Sequence, residues 1–171
     1  MSNAGSHDAR ITDLVSRLDE AADRLATRLE RAGPRAAQAT EGWTAAQIGV
    51  HVALVNDNFT GVFDGSNPAP APAPEGFTER PWSEIAQGIP ARFSAPTRFE
   101  PPADVSGDEA ARMVRQSAAR LAAAVAQVTP ESARCCFTNK IVGTISVYQA
   151  GEWAVAHIIR HNQQAKRILG A

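Results

Sequence analysis

The sequence predicts an all-α protein, a four-helix bundle with one long crossover between the second and third helices. Three observations support this fold class. Four segments place apolar residues at three-to-four spacing, which is typical of a helix with one buried face. Three of these segments begin with a capping signature. About 40 residues rich in Pro, Ala and Gly separate the second segment from the third.

The first helix is predicted over residues 9–32. Its apolar stripe consists of Ile11, Leu14, Val15, Leu18, Leu25 and Leu29. Gly33 and Pro34 end it, because Gly suits a left-handed cap and Pro cannot continue the hydrogen-bond ladder. Residues 1–8 carry no hydrophobic signal-peptide core and are expected to be disordered or tag-derived, so His7 is excluded from functional reasoning.

The other three helices each open with a capping residue and a Glu or Gln three positions later. These pairs are Thr44 and Gln47, Ser106 and Glu109, and Ser146 and Gln149. The helices are predicted to end near Asp64, before Pro130 and near Leu169. Their boundaries therefore follow from local side-chain chemistry.

The long crossover spans residues 65–105 and includes the Pro-Ala run NPAPAPAPEG. A loop of this length inside a compact domain is usually a lid, a crossover or a disordered stretch, and the sequence leaves open whether it is ordered. Residues 81–90 are predicted to form a short helix within it, and segment 131–145 has strand-like character. We interpret residues 1–171 as a single domain.

Composition and charge exclude several classes of partner. Hydrophobic residues make up 44% of the chain, and 17 basic and 18 acidic residues give a net charge of −1. Without a strong field, neither nucleic acid nor an anionic membrane is an expected partner. No apolar run approaches the roughly 20 residues that span a bilayer. The adjacent Cys135 and Cys136 do not resemble a disulfide framework, which favours a cytoplasmic location.

Three histidines are predicted to lie on inward helix faces. His157 and His161 are separated by about 6 Å along their helix and about 40° around it, so both imidazoles can converge on one ion. His51 shares a face with apolar residues of the second helix. Burying three imidazoles without partners is costly, and one shared metal would satisfy them all. The alternative is three core histidines, each hydrogen-bonded separately.

Asn58, Arg160 and Gln164 are candidates to bind substrate or to support the histidines. Asn58 follows His51 on the same face, while Arg160 and Gln164 flank the histidine pair. An arginine or an amide at these positions can hold a carboxylate or orient a metal ligand. The alternative is an ordinary buried amide at Asn58 and solvated helix residues at the other two positions.

Two stretches of the chain resemble the signature regions of the DinB-like (YfiT-like) superfamily. They are Trp43-Thr-x-x-Gln47-x-x-x-His51 and Trp153-x-x-x-His157-x-x-Arg160-His161-x-x-Gln164. The resemblance covers nearly the whole chain and implies an up-up-down-down bundle. It also implies that the three histidines hold a divalent metal. Zinc or nickel is expected first, and iron or manganese is the alternative.

The resemblance suggests a transferase or isomerase that uses a low-molecular-weight thiol, such as mycothiol or bacillithiol, with a small-molecule substrate. The thiolate is the nucleophile and a good metal ligand. Ala and Arg are abundant, and Lys140 and Lys166 are the only lysines, which suggests a GC-rich coding genome and a bacterial source. Such a genome favours mycothiol as the thiol. One alternative is a metal-dependent hydrolase, although no acidic residue is well placed as its base. Another is a non-enzymatic ligand-binding or stress-related bundle with a structural metal.

The fourth helix is apolar nearly all round. Val155, Ile158 and Ile159 lie on its sides and back, away from the histidines. A helix with this pattern is buried nearly all round, either by the long loop or by a second copy of the chain. The sequence therefore predicts a homodimer.

Overall fold

The computed structural model describes residues 6–39, 41–67, 69–90 and 94–170. Within these ranges the helices are α1 (His7–Ala32), α2 (Ala45–Asp64), α3 (Trp82–Gln87), α4 (Gly107–Ala126) and α5 (Val147–Leu169). The strands are β1 (Ala71–Pro72), β2 (Cys135–Asn139) and β3 (Gly143–Ser146). Helices α1, α2, α4 and α5 form the predicted four-helix bundle, and the short α3 lies in the crossover.

Helices α2, α4 and α5 begin at the residues that the capping signatures predict. The Thr44 hydroxyl accepts from the Gln47 amide at 3.0 Å, and the Gln47 side chain accepts from the Thr44 amide at 2.9 Å. Ser146 and Gln149 form the same reciprocal pair at the start of α5, at 3.1 and 3.0 Å. Ser106 caps α4 in a similar way. Each cap contributes about 1 kcal/mol and fixes where its helix begins.

Helix α1 begins at His7, inside the segment that we expected to be disordered or tag-derived. The Ser6 side chain caps the helix by accepting from the Ala9 amide at 3.3 Å. The ring nitrogens of His7 bond to the Tyr148 hydroxyl at 2.7 Å and the Val128 carbonyl at 2.9 Å. These two partners come from far along the chain, so local sequence patterns could not reveal them. Residues 1–5 lie outside the described ranges.

Contacts between helix ends define the directions of the bundle helices. Gly107, at the start of α4, lies against the end of α1, where its Cβ would be 2.8 Å from the Leu29 carbonyl. Gly49, near the start of α2, faces Leu29 as well. Tyr148, at the start of α5, bonds to His7 at the start of α1. The order along the chain is therefore up-down-down-up, and not the up-up-down-down order that the resemblance implies.

The loops explain this order. Residues 33–44 join α1 to α2 and residues 127–146, which include the β2–β3 hairpin, join α4 to α5; each link turns the chain back, and each pair is antiparallel. The crossover carries the chain back to the end at which α2 began, which makes α2 and α4 parallel. We call the end where α2 and α4 begin the upper end, and the opposite one the lower end.

The core lies between two diagonal pairs of helices. Helices α1 and α2 each pack mainly against α4 and α5. The fully buried side chains include Leu18, Leu25, Leu29, Ile48, Leu121 and Ile158. Burial of each such side chain contributes about 1.5–3 kcal/mol. None of the helices in the described ranges is long and apolar enough to cross a membrane.

The crossover follows the bundle from the lower end to the upper end. Its strand β1 pairs with β2, and β2 pairs with β3, in an antiparallel sheet at the lower end. The Arg80 carbonyl then accepts from the Gln149 side chain, and the Pro90 carbonyl accepts from Arg160 at 3.2 Å. The predicted short helix is confirmed as α3, and the strand character of segment 131–145 is confirmed as β2 and β3.

The apolar back of α5 is largely covered by the chain itself. Val155 and Ile158 are only 1% and 0% exposed, whereas Ile159 is 47% exposed. Two of the three residues that suggested a second copy are therefore buried within one chain. The homodimer stays a prediction that depends on Ile159.

Candidate metal centre

The three predicted histidines meet at the upper end of the bundle. His51 lies near the start of α2, and His157 and His161 lie in the second half of the antiparallel α5. The His51 ring centroid is 5.2 Å from that of His157 and 4.8 Å from that of His161, and the last two rings are 4.4 Å apart. One ring nitrogen from each lies within 4.8 Å of the others, a spacing at which the three can hold one ion.

A main-chain carbonyl of the crossover orients His51. Its Nδ1 donates to the Phe99 carbonyl at 2.9 Å. Because a neutral imidazole carries one proton, this bond leaves the lone pair on Nε2. The Trp43 ring lies beside His51, with the ring centroids 5.1 Å apart. His51 is thus held between the crossover and an aromatic ring.

His161 and His157 differ in their hydrogen bonds. Nδ1 of His161 donates to the Gln164 side-chain oxygen at 2.9 Å, which again leaves the lone pair on Nε2. Nδ1 of His157 is buried and has no hydrogen-bond partner among the described residues. A buried polar atom without a partner costs about 1–3 kcal/mol. The donor set therefore fits a ligand that the chain itself does not supply.

Burial keeps all three imidazoles neutral. Desolvation lowers the pKa of His51 and lowers that of His157 well below its usual value. Burial, aided by the repulsion that a protonated His51 would exert, lowers the pKa of His161 to about 4. The Arg160 guanidinium acts in the same direction on His157 and His161. Neutral imidazole is the form that binds a metal ion, so the cluster is ready to bind one at pH 7.

Among the described residues, the group that could hold a metal consists of the three histidines and includes no carboxylate. Repulsion from Arg160 and from a protonated neighbouring ring disfavours the charged forms of His157 and His161. Asp57, the acidic residue nearest to His51 along α2, forms an ion pair with Arg120 at 2.8 Å. The cluster is therefore a site of neutral nitrogen ligands, and no acidic side chain belongs to it.

The other predicted candidates lie at different distances from the cluster. Gln164 contacts His161 directly, as described above. Arg160 is exposed and holds the Pro90 carbonyl of the crossover. Asn58 lies about 10 Å further along α2 than His51 and accepts from the Asn67 side chain at 2.8 Å. The structure therefore places Asn58 toward the loop after α2, away from the histidines.

Sequence reasoning missed two neighbours of the cluster. Trp43 was not among the predicted site residues, although its place in the same signature stretch as His51 was a usable signal. The Phe99 carbonyl gave no signal, because a main-chain acceptor leaves no trace in the identity of its side chain.

Neither of two surface cavities is lined by the three histidines. One, of about 270 Å³, lies at the lower end between α1 and α5 and is lined by Arg10, Tyr148 and Glu152 among others. The second, of about 410 Å³, lies where α2 and α4 begin and includes Thr44 and Ser106. The candidate centre is thus recognised by its converging nitrogens and not by cavity volume.

The fold and the cluster together define a four-helix-bundle protein with a three-histidine site that can hold a metal ion. The model of the DinB superfamily matches residues 9–165 of the chain. The chain belongs to the DinB superfamily.

A solved structure supports the same fold. The chain is similar to YfiT from Bacillus subtilis, with a TM-score of 0.62 and 18% sequence identity over 99% of this chain and 93% of that one. YfiT is described as a probable metal-dependent hydrolase with an unusual four-helix bundle topology. At this identity the likeness establishes the fold alone. No curated protein matches the sequence.

Proposed function

We propose that this protein is a metal-dependent enzyme that binds one divalent ion on His51, His157 and His161. The observation that carries the proposal is the convergence of three neutral imidazoles, one of which has a buried and unpartnered Nδ1. Imidazole suits several transition metals. As the family resemblance implies, zinc or nickel is expected first and iron or manganese second. Three protein ligands leave a position open, as in catalytic sites.

The surrounding residues prepare the ligands. The Phe99 carbonyl and the Gln164 side chain hold the Nδ1 protons of His51 and His161 and direct the Nε2 lone pairs away from these acceptors. A divalent ion at this site would supply Lewis acidity and lower the pKa of a thiol or a water at its open position.

We propose a low-molecular-weight thiol as the nucleophile, in a transfer or isomerisation reaction with a mycothiol- or bacillithiol-like co-substrate. Among the described residues, the group that could hold a metal contains three histidines and no carboxylate that could serve as a base beside the ion. A thiol, with a free pKa of about 8.5, loses its proton far more readily than water without such a base. The absence of this base therefore favours a thiol over water.

Metal-dependent hydrolysis is the second candidate. The similarity in fold to YfiT, described as a probable metal-dependent hydrolase, favours it. Hydrolysis would need the ion alone to activate water. The two reactions differ in whether a thiol must be supplied.

Metal content tests the site. Plasma mass spectrometry of the protein purified without a His-tag should find about one equivalent of a transition metal. His51→Ala and His157→Ala should each lose it. His7→Ala, at the opposite end of α1, should retain it and serves as the matched control. A wild-type protein that takes up no zinc, nickel, iron or manganese on reconstitution would exclude the proposed site.

A thiol-dependence assay tests the reaction. The metal-loaded protein should conjugate monochlorobimane faster when mycothiol or bacillithiol is supplied, and His157→Ala should not. Ester or amide hydrolysis without any thiol would instead support the second candidate. If neither reaction occurs while the metal is bound, the site has a non-enzymatic role.

A further inference from the structure

The crossover touches the candidate centre through its main chain. We call residues Thr97–Ala103 the docking segment. Its Phe99 carbonyl accepts from His51 at 2.9 Å. Its Pro102 and Ala103 carbonyls accept from the Gln47 side-chain amide at 3.0 and 3.3 Å. Gln47 lies one helical turn before His51, so two side chains on one side of α2 hold the same segment.

The other ligand-bearing helix also holds the crossover. Arg160, between His157 and His161 in the chain, donates to the Pro90 carbonyl at 3.2 Å. Both helices that carry the histidines therefore bind carbonyl groups of one connection.

We infer that the docking segment is a positioning element of the metal centre, and that its docking and metal binding stabilise each other. The inference rests on the proposed three-histidine site. The Phe99 carbonyl fixes the ring orientation of His51 and the nitrogen that carries its lone pair. An ion on the other nitrogen withdraws electron density and makes Nδ1–H a better donor. Since coupling free energies are reciprocal, each event strengthens the other.

Gln47 is the positioning residue through which the inference can be tested. Gln47→Glu is almost isosteric and keeps the side-chain oxygen that caps α2, in a first turn that favours negative charge. It removes the amide donor and places a carboxylate against the carbonyls of Pro102 and Ala103. Gln163→Glu, on an exposed face of α5 near the same end, adds the same charge without touching the segment and is the matched control.

The first readout is zinc affinity, measured by competition with a chromophoric chelator. Gln47→Glu should bind zinc about tenfold more weakly than the wild type, whereas Gln163→Glu should bind it equally or more tightly. Because a carboxylate attracts a nearby cation, charge alone would make Gln47→Glu bind zinc more tightly than the wild type, the opposite of the expected result. The metal-free variant should melt within a few degrees of the wild type, which separates positioning from a general loss of stability.

The second readout is hydrogen exchange of the wild-type chain with and without zinc. Zinc should slow exchange in residues 97–103 more than in the β2–β3 hairpin at the lower end. Zinc binding with unchanged exchange in the segment and unchanged affinity in Gln47→Glu would overturn the inference and leave the proposed site intact. No zinc binding by the wild type would overturn both. If Gln47→Glu fails to fold, the exchange of the wild type decides alone.

Discussion

The bond between His161 and Gln164 links two side chains on adjacent turns of α5. The Gln164 oxygen accepts the Nδ1 proton of His161 at 2.9 Å and so orients the other nitrogen. Gln164→Ala should weaken zinc binding by about 10- to 100-fold, because the ring loses its fixed orientation. Chelator competition measures this affinity. Gln163→Ala, at the exposed neighbouring position, should bind zinc like the wild type, and an equal loss in both variants would contradict the assigned role.

The buried imidazoles should make the metal-free protein sensitive to mild acid. The pKa of His161 is about 4 in the folded chain, against 6.5 as its ordinary value. Above pH 6.5 the ring is neutral in both states and its pKa shift does not affect stability. Between pH 6.5 and 4 the unfolded chain binds a proton that the folded chain does not, so the free energy of unfolding falls as the pH falls.

This one imidazole corresponds to a loss of about 3 kcal/mol when the pH falls through the whole window, and the lowered pKa values of His51 and His157 act in the same direction. Urea denaturation of the metal-free protein at pH 7.5, 6 and 5 measures this fall in the free energy of unfolding. His161→Asn should reduce the dependence on pH. A free energy of unfolding that stays constant from pH 7.5 to 5 would show that the rings are solvated.

At the scale of the elements, α4 begins so close to α1 that its first residue has no room for a side chain. A Cβ on Gly107 would lie 2.8 Å from both the Leu29 carbonyl and the Ala36 Cβ. Gly107→Ala should therefore lower the free energy of unfolding by about 1–3 kcal/mol, measured by urea denaturation. Gly88→Ala, whose Cβ would meet the Ile85 carbonyl at an ordinary 3.4 Å, should change it far less. If both variants lowered the free energy of unfolding equally, α4 would be able to move aside for the new methyl group without loss of stability, which would contradict the prediction.

The helix starts could be predicted because capping is local. The Thr44 and Ser146 hydroxyls bond to amides three residues further along, and such pairs are visible in the sequence. The start of α1 at His7 was missed because its partners, Tyr148 and Val128, are remote in the chain. The path of the crossover and the strand β1 depend on remote partners in the same way.

The histidines could be predicted to come together because helical periodicity places each on an inward face. Which groups orient them was less predictable. Gln164 was found, since its partner His161 is three residues away on the same helix. The contact between Phe99 and His51 joins the crossover to α2 through a carbonyl, and no side-chain pattern reports it.

For the whole molecule, the order of helix directions explains why the crossover is long. Parallel neighbours such as α2 and α4 can be joined only by a connection that runs the length of the bundle. The 20 residues of α2 rise about 30 Å, and the crossover covers this distance after its Pro-Ala run, which stays at the lower end with β1. The contacts of Arg80 and Pro90 with α5 then hold this connection against the bundle.

The predicted homodimer is a property of the whole molecule that one residue can test. Ile159 is the large hydrophobic residue that stays exposed in the described ranges, at 47%. If a second copy covers it, light scattering should give twice the chain mass of 18.1 kDa, and Ile159→Glu should give a single chain. A concentration-independent mass of one chain in the wild type would contradict the dimer.

The placement of the histidines has a consequence for biosynthesis. His51 emerges from the ribosome early, but His157 and His161 emerge only with the last helix, when the bundle partners of α5 have already been made. A nascent or truncated chain therefore presents a lone imidazole and cannot form the three-histidine site. Metal acquisition would thus come after translation and select chains in which the final helix has docked.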